Sequence, residues 1–335
     1  MKAFVTFPQG FTYETFFTEE NIKLAQSLGT IIWNDKSKNL TAEEIKEQIC
    51  DCDVYITSWG APRLDEDILS AAPNIKLLTH LCGTVAPFVS DAMWDRGIRV
   101  ISGNKYFAES VAEGTIGYIL AALRDIPKFS YNLKEKKQWK KSTDWYEGIL
   151  GKKVGLVSYG AIAKNLVRML APFRTKIYVY DIVDIPQEDK DRYNITQVSL
   201  EEIFSECDII SLHTPLYDAT RHMVNQRLLS MIKEGALFVN TSRGGIVDQR
   251  ALVEELAKGR FRAVLDVYEK EPPVEDDPLY TLPNVMMMPH MGGPTVDLRK
   301  VITHDLLLES AAFVDRGEPL KNEISREAAS RMTEK

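Results

Sequence analysis

Short, wholly apolar runs alternate along the chain with longer segments of mixed polarity. KAFVTF (2–7), TIIW (30–33), DVYIT (53–57), KLLTHL (76–81) and IRVIS (98–102) have the length and the β-branched content of strands buried on both faces. The segments between them predict helices. TAEEIKEQIC (41–50) opens on Thr41 with Glu44 three residues later, a capping box; LDEDILSAA (64–72) and VSDAMWDRG (89–97) follow, the last stopping at Gly97. KYFAESVAEGTIGYILAALR (105–124) is long, apolar-rich and free of proline, and predicts a further helix.

The alternation resumes at Gly151. KKVGLVS (152–158), TKIYVYD (175–181), DIISLH (208–213), ALFVN (236–240) and RAVLDV (262–267) predict strands, with helices near 160–172, 199–206, 225–233 and 248–259 and a last helix over 295–316. Strands separated by helices imply a parallel sheet covered on both faces. Two such series predict an α/β protein of two doubly wound domains. Between them, KFSYNLKEKKQWKKSTDWYEG (128–148) is basic and polar yet carries Trp139 and Trp145. It reads either as a solvated connecting arm or as an arm gripping another subunit, because tryptophans are costly to leave in water.

The length, 335 residues, agrees with two domains. Lys and Arg total 41 against 48 Asp and Glu, a net charge of −7, which offers no bulk attraction to a phosphate backbone and argues against a nucleic-acid partner. No apolar run reaches the roughly 18 residues of a membrane span, and the N-terminus lacks the apolar core of a signal peptide. Cys50, Cys52, Cys82 and Cys207 form no CxxC pair and have no His cluster beside them, so neither a metal site nor a disulfide framework is expected. These features predict a soluble, cytoplasmic protein.

Three constellations carry candidate chemistry. In KKVGLVSYGAIAKNLVRML a strand runs into a tight turn and an amphipathic helix, the context of the dinucleotide fingerprint Gly-x-Gly-x-x-Gly. Here the three positions hold Ser158, Gly160 and Ala163, so only the middle glycine is kept. Asp181 ends the next strand 21 residues after Gly160, near the ~20-residue spacing of an acid that bonds a ribose 2′-hydroxyl. A carboxylate there repels a 2′-phosphate, which favours NAD over NADP. The second constellation, VNTSRGGIVD (239–248), puts Arg243 just past a strand's carboxyl end, where a guanidinium can hold a carboxylate, although a surface loop arginine has the same local sequence. The third joins LDVYEKEPP (265–273) to MMMPHMGGPT (286–295). Glu271 and His290 together suit general acid–base work, the carboxylate orienting the imidazole.

From SLHTPLYDATRHMVNQRLLSMIKEGALFVNTSRGGIVDQRALVEELAKGRFRAVLDVYEKEPP through NVMMMPHMGG the chain resembles the D-isomer-specific 2-hydroxyacid dehydrogenases, among them glyoxylate and hydroxypyruvate reductases and phosphoglycerate dehydrogenase. The resemblance is strongest over 151–295 and thinnest over 1–75. It implies an NAD-binding Rossmann domain at 103–295 and a flavodoxin-like substrate-binding (lid) domain made of 1–102 plus about 296–335. It implies that Arg243 binds the carboxylate and keto oxygen of a 2-keto acid, that His290 exchanges the proton, and that Glu271 pairs with His290. Tyr159, Gly160, Ala161, Ile162, Asp181, His213, Thr214, Pro215, Thr220, Thr241, Ser242, Arg243, Asp266, His290 and Gly292 would contact NAD (NADH). Among them, Ala161 and Ile162 would meet the pyrophosphate, Asp181 the adenosine ribose and Asp266 the carboxamide.

The same resemblance implies a backbone nest over the substrate at Leu81, Cys82 and Gly83, and a homodimer built through 105–148. His80 is a candidate extra donor, and Trp59 a candidate pocket wall. TSWGAP (57–62) and HLCGT (80–84) would meet the substrate's side chain; no Arg or Lys cluster stands in or beside them, which disfavours a phosphorylated substrate. Relatives that act on phosphite, and corepressor-like proteins that sense NAD and bind a partner, share the pattern and are the competing readings.

Overall fold

The computed structural model describes residues 1–333; the last two residues of the tail assigned to the first domain lie outside the described residues. The chain divides into two compact units, one of Met1–Phe107 with Pro294–Lys335, the other of Ala108–Gly293. The chain crosses between them inside the helix Asn104–Leu123. The boundary lies beyond Ser102 because the first turn of that helix packs with the strand ends of its own unit: the Phe107 ring lies 6.1 Å from Trp59.

The first unit holds β1 (Lys2–Val5), β2 (Thr30–Trp33), β3 (Val54–Thr57), β4 (Leu77–His80) and β5 (Arg99–Ser102). They form one parallel sheet in the order β2-β1-β3-β4-β5, the flavodoxin-like arrangement, whose direction of winding reverses between β1 and β3. Phe4, Tyr55, Leu78 and Val100 pack into one face of the core, and Ala3, Val5, Val54, Ile56, Leu77 and Ile101 into the other. That two-sided burial is why these strands read as continuous apolar runs. The Thr41–Glu44 capping box is formed reciprocally at the start of the helix Ala42–Lys46. The long helix Val296–Arg316 packs on the second face, through Ile302, Leu306 and Leu307.

The second unit holds β6 (Lys153–Val157), β7 (Lys176–Tyr180), β8 (Ile195–Gln197), β9 (Ile209–Leu212), β10 (Leu237–Asn240), β11 (Arg262–Leu265) and β12 (Val285–Met287). All are parallel, in the order β12-β11-β10-β9-β6-β7-β8. The order reverses between β6 and β9, as in a Rossmann fold, where nucleotides bind outside the carboxyl ends of the strands. The expected helices form at Ala161–Leu170, Leu200–Glu206, Gln226–Met231 and Gln249–Leu256.

The segment 128–148 is not all irregular. A helix, Ile126–Lys134, covers its beginning, started by Pro127 in its first turn, the position where the missing N–H of proline costs nothing. Beyond it Trp139 and Trp145 are 75 % and 76 % exposed. Among the described residues no helix is long and apolar enough to cross a membrane, no group of three metal-binding side chains converges, and the four cysteines are free.

Candidate active site

Every strand of the second unit points its carboxyl end the same way, so the loops after β6, β7, β9, β10 and β11 gather at one edge of the sheet. The loop after β10 is built by Asn240. Its Oδ1 accepts hydrogen bonds from the Ser242 N–H (3.0 Å) and hydroxyl (2.8 Å), and its Nδ2 donates to the Arg243 carbonyl (3.1 Å). This is the asparagine turn that lets a strand end abruptly. Asn240 escapes a search for reactive groups, since its role is to shape the backbone. Arg243 emerges half-buried from the turn. One of its Nη atoms donates to the Ser242 carbonyl at 2.7 Å, and among the described residues it forms no ion pair. Burial lowers its pKa from the ordinary value, and the charge of Glu271 opposes that shift. The guanidinium remains a cation with donors to spare.

The loop after β11 holds two acids with separate duties. Glu271 accepts the Tyr268 N–H through one oxygen (3.0 Å) and meets His290 Nδ1 through the other at 2.6 Å. The imidazole Nε2 has no protein partner among the described residues. A carboxylate on Nδ1 fixes the ring and leaves Nε2 to give or take a proton. Asp266, almost fully buried, accepts the N–H groups of Met291 and Gly292, each at 2.7 Å, and the Tyr118 hydroxyl at 3.3 Å. Both acids therefore hold the loop that carries His290, one through its ring and one through the main chain. His290 itself has φ of +52°, a conformation that a histidine keeps only when its surroundings impose it. A Cβ on Gly292 would lie 2.7 Å from the Asp266 carboxylate, so this position has room only for glycine.

The turn after β6 meets the fingerprint requirement without its first glycine. Ser158 takes φ of +79°, the left-handed conformation the missing glycine would supply. Its hydroxyl is 2.9 Å from the Thr214 hydroxyl, and its N–H donates to the Tyr180 carbonyl at 2.8 Å. Strain and hydrogen bond are of similar size, about 1 kcal/mol each. Ser158→Gly should therefore leave stability within about 0.5 kcal/mol of the parent, whereas Ser158→Ala keeps the strain, loses the bond and should cost about 1 kcal/mol or more. Urea unfolding of both variants checks the order; an alanine variant as stable as the parent would show that the turn tolerates its left-handed serine without the bond.

The helix Ala161–Leu170 follows, with Gly160 at its N-cap and no side-chain cap. The N–H groups of Ala161, Ile162 and Ala163 have no protein acceptor among the described residues, and a Cβ on Gly160 would meet open space. Asp181, at the end of β7, accepts the N–H groups of Tyr159 (2.6 Å) and Val183 (3.0 Å). His213 is buried, with Nε2 3.0 Å from the Ser211 hydroxyl and Nδ1 without a partner; burial lowers its pKa to about 4, so it is neutral at pH 7. Thr241 meets Thr115 hydroxyl to hydroxyl at 3.0 Å. The Thr220 hydroxyl is occupied inside its own turn, donating to the Pro215 carbonyl at 2.7 Å. Free N–H groups at a helix N-terminus, a carboxylate one strand away and an orphaned buried imidazole together fit a dinucleotide.

In the first unit, Leu81, Cys82 and Gly83 follow the carboxyl end of β4. The Leu81 N–H donates to the Thr57 carbonyl at 3.0 Å and so extends the sheet, while the Cys82 and Gly83 N–H groups have no protein acceptor among the described residues. His80 is fully buried, stacked 4.3 Å from the Phe88 ring and 2.9 Å from the Thr57 hydroxyl; burial lowers its pKa to about 3. It is a neutral core histidine. One basic side chain from elsewhere in the chain does stand near Trp59 and Cys82, although it makes no Arg or Lys cluster of the kind whose absence was noted. Arg299, from the first turn of the helix Val296–Arg316, lies 6.0 Å over the Trp59 ring and 5.7 Å over Phe16. Its distance along the chain hides it from any reading of the two loops.

The second unit thus combines a winding reversal with a helix N-terminus beside it, and a histidine–carboxylate pair on loops neighbouring an arginine that forms no ion pair among the described residues. Residues 116–292 match the family model described as D-isomer specific 2-hydroxyacid dehydrogenase, NAD binding domain, and the chain belongs to that family of NAD-dependent dehydrogenases. It is 33 % identical over 311 residues to a D-3-phosphoglycerate dehydrogenase of Methanocaldococcus jannaschii, a match covering 92 % of this chain and 57 % of that protein. It is 33 % identical to a hydroxypyruvate reductase of Thermotoga maritima over 81 % of this chain and 88 % of the relative. The crystal structure of D-lactate dehydrogenase with NAD+ from Lactobacillus jensenii has the same fold, with a TM-score of 0.77 at 24 % identity over 97 % of this chain and 100 % of that one.

Proposed function

We propose that the protein interconverts a 2-keto acid and a D-2-hydroxy acid, with NAD as cofactor. The observation that carries this reading is the Glu271–His290 pair at 2.6 Å on the loops after β11 and β12, with the uncommitted Arg243 guanidinium after neighbouring β10. Arg243 binds the substrate carboxylate and polarises the keto oxygen. His290 Nε2 donates a proton to that oxygen during reduction and recovers it during oxidation, while Glu271 stabilises the imidazolium and fixes the ring. Bound NADH supplies the hydride for the substrate's C2. The N–H groups of Ala161 and Ile162 hold the pyrophosphate, and Asp181 bonds the adenosine ribose. Thr214, Pro215 and Thr220 form the wall beside it, and Thr241, Ser242 and Asp266 lie along the nicotinamide half. Thr220 acts there as a shaping residue, because its hydroxyl is already spent on its own turn.

The test is oxidation of NADH and NADPH against glyoxylate, pyruvate, hydroxypyruvate, phenylpyruvate, oxaloacetate and phosphohydroxypyruvate. Turnover with at least one acid is expected, with NADH favoured by about tenfold or more because the Asp181 carboxylate repels a 2′-phosphate. A preference for NADPH would remove Asp181 from the ribose. NADH binding without turnover on any acid would move the reading to a nucleotide-sensing protein.

We infer further that the protein is a homodimer through 105–148. Tyr131, Leu133, Trp139, Trp145 and Tyr146 are all exposed there, around a surface groove of about 310 Å³ lined by Phe129, Leu133, Trp139 and Tyr146. So much aromatic surface is unusual on a lone chain. Sedimentation should give twice the 38.0 kDa chain mass, and a monomer at micromolar concentration would refute the dimer.

A further inference from the structure

A second histidine–carboxylate pair stands in the second unit, apart from Glu271 and His290. His222 Nε2 lies 2.7 Å from Glu269 Oε1, and since a carboxylate can only accept, the imidazole donates. His222 belongs to the loop after β9 and Glu269 to the loop after β11, so the pair spans the loop after β10, the strand between them. That middle loop is tied in as well. The His222 N–H donates to the Gly245 carbonyl at 2.9 Å, and the Val224 N–H to the Ile246 carbonyl at 3.1 Å.

Stability does not account for the pair. His222 takes φ of +51°, a left-handed conformation that strains a residue with a side chain. Both side chains are 42 % exposed, and an ion pair so open to water returns little. What the strained backbone gains is a fixed position for the imidazole.

The imidazole in turn fixes a crowded turn. The Tyr268–Glu269 peptide presses on Gly244, where a Cβ would lie 1.9 Å from the Tyr268 carbonyl carbon. On its outer side the Glu269 N–H donates to Gln249 Oε1 at 3.0 Å, and Gln249 Nε2 donates to the buried Asp277 carboxylate at 2.8 Å. On its inner side the Tyr268 N–H donates to Glu271 Oε1 at 3.0 Å, and the other oxygen of Glu271 meets His290 Nδ1. Glu269 is therefore the one side chain that links the loop after β9 to the turn that carries Glu271.

We propose that His222 is a positioning residue: through Glu269 it holds the turn from Tyr268 to Glu271, and so aims the Glu271 carboxylate at His290. This rests on the acid–base reading given above. His222 touches no reacting atom. Its effect on turnover passes through the Tyr268 N–H and Glu271, and small errors in the aim of a proton-transfer pair are costly in rate.

The experiment compares the parent with His222→Gly, His222→Gln and Glu269→Ala. Glycine accepts the left-handed backbone and removes only the pair, so His222→Gly should melt near the parent temperature. Its kcat on the best of the 2-keto acids named above should fall about tenfold or more, with KM for NADH near the parent value. Glutamine places an amide N–H where Nε2 stood, so His222→Gln should recover part of the loss. Glu269→Ala, which leaves position 222 untouched, should lower kcat as His222→Gly does, and the double variant should be no worse than either single within about twofold. In a Glu271→Gln background His222→Gly should change kcat by less than about twofold, because the path runs through Glu271.

A kcat unchanged in His222→Gly, or the same loss with Glu271→Gln already in place, overturns the proposal. Amide hydrogen exchange at Tyr268 separates it from the reductase reading. Exchange should quicken about tenfold in His222→Gly and Glu269→Ala and slow again in His222→Gln. If no acid is turned over but exchange follows this order, the positioning role stands and the reductase reading falls. If exchange at Tyr268 is the same in all four proteins, the positioning role falls.

Discussion

Replacing Arg243 with lysine will lower kcat/KM for the 2-keto acid of the proposed reaction by about a thousandfold, roughly 4 kcal/mol of transition-state stabilisation, while the dissociation constant of NADH stays near the parent value. Lysine keeps the charge, so the loss measures geometry. The guanidinium leaves the Asn240 turn with one Nη committed to the Ser242 carbonyl and the rest of its planar fork free. A fork of that shape can meet two substrate oxygens at once, whereas an ammonium presents one compact, strongly hydrated point. The site is half-buried, and its desolvation already lowers the arginine's pKa. Lysine loses its proton more readily under the same desolvation, which adds to the loss. Single-turnover absorbance at saturating NADH is the measurement. A lysine variant within about tenfold of the parent would mean that the substrate carboxylate is held elsewhere.

Gly244→Ala is expected to destabilise the second unit by about 3 kcal/mol or more, lowering its apparent melting temperature by about 6 °C or more, and to remove most activity from the protein that still folds. A Cβ at this position would lie 1.9 Å from the Tyr268 carbonyl carbon, 2.0 Å from its oxygen and 2.4 Å from the Glu269 nitrogen. These are backbone atoms and cannot swing aside as a side chain would. The segment they belong to carries the Tyr268 N–H that holds Glu271, and Glu271 in turn holds His290. The collision therefore reaches the Glu271–His290 pair without touching either member. Gly293→Ala is the control, because a Cβ there meets nothing within 4 Å. Circular dichroism melts of the two variants make the comparison, and equal melting temperatures would show that the loop after β11 moves freely away from β10.

The parallel strands were legible because two-sided burial turns them into apolar runs: TIIW is β2 residue for residue, and IRVIS and ALFVN contain β5 and β10. The strands β8 and β12 were not, being three residues long and only partly apolar or rich in methionine, with too little pattern to separate them from loop. The helix Phe11–Phe16 was missed for a different reason. It is only six residues long, too short for its one i, i+3 pair of buried rings, Tyr13 and Phe16, to set a helical period, and its cap is Gly10 with no side-chain bond. In the candidate site, residues of reactive type announce themselves, so Arg243, Glu271 and His290 stand out in the sequence. Residues that shape it do not. Asn240 looks like any strand end, and the anchoring of Met291 and Gly292 by Asp266 is a main-chain contact that no residue pattern encodes. Ser158 could be noted as the wrong residue for a fingerprint, but only the backbone reveals that it adopts the glycine's conformation.

Because Asp266 grips the His290 loop by its main chain, that loop can drift in sequence where its backbone cannot. Met291 contributes only its N–H to the anchor and turns its side chain to solvent at 63 % exposure, so almost any side chain serves there. Position 292 is confined to glycine by the carboxylate it faces, and position 266 to a residue with two acceptor oxygens. Descendants of this chain can thus rewrite the loop one residue at a time, provided a few fixed letters remain, and inheritance of the site depends on those letters far more than on the overall likeness of the sequences around them.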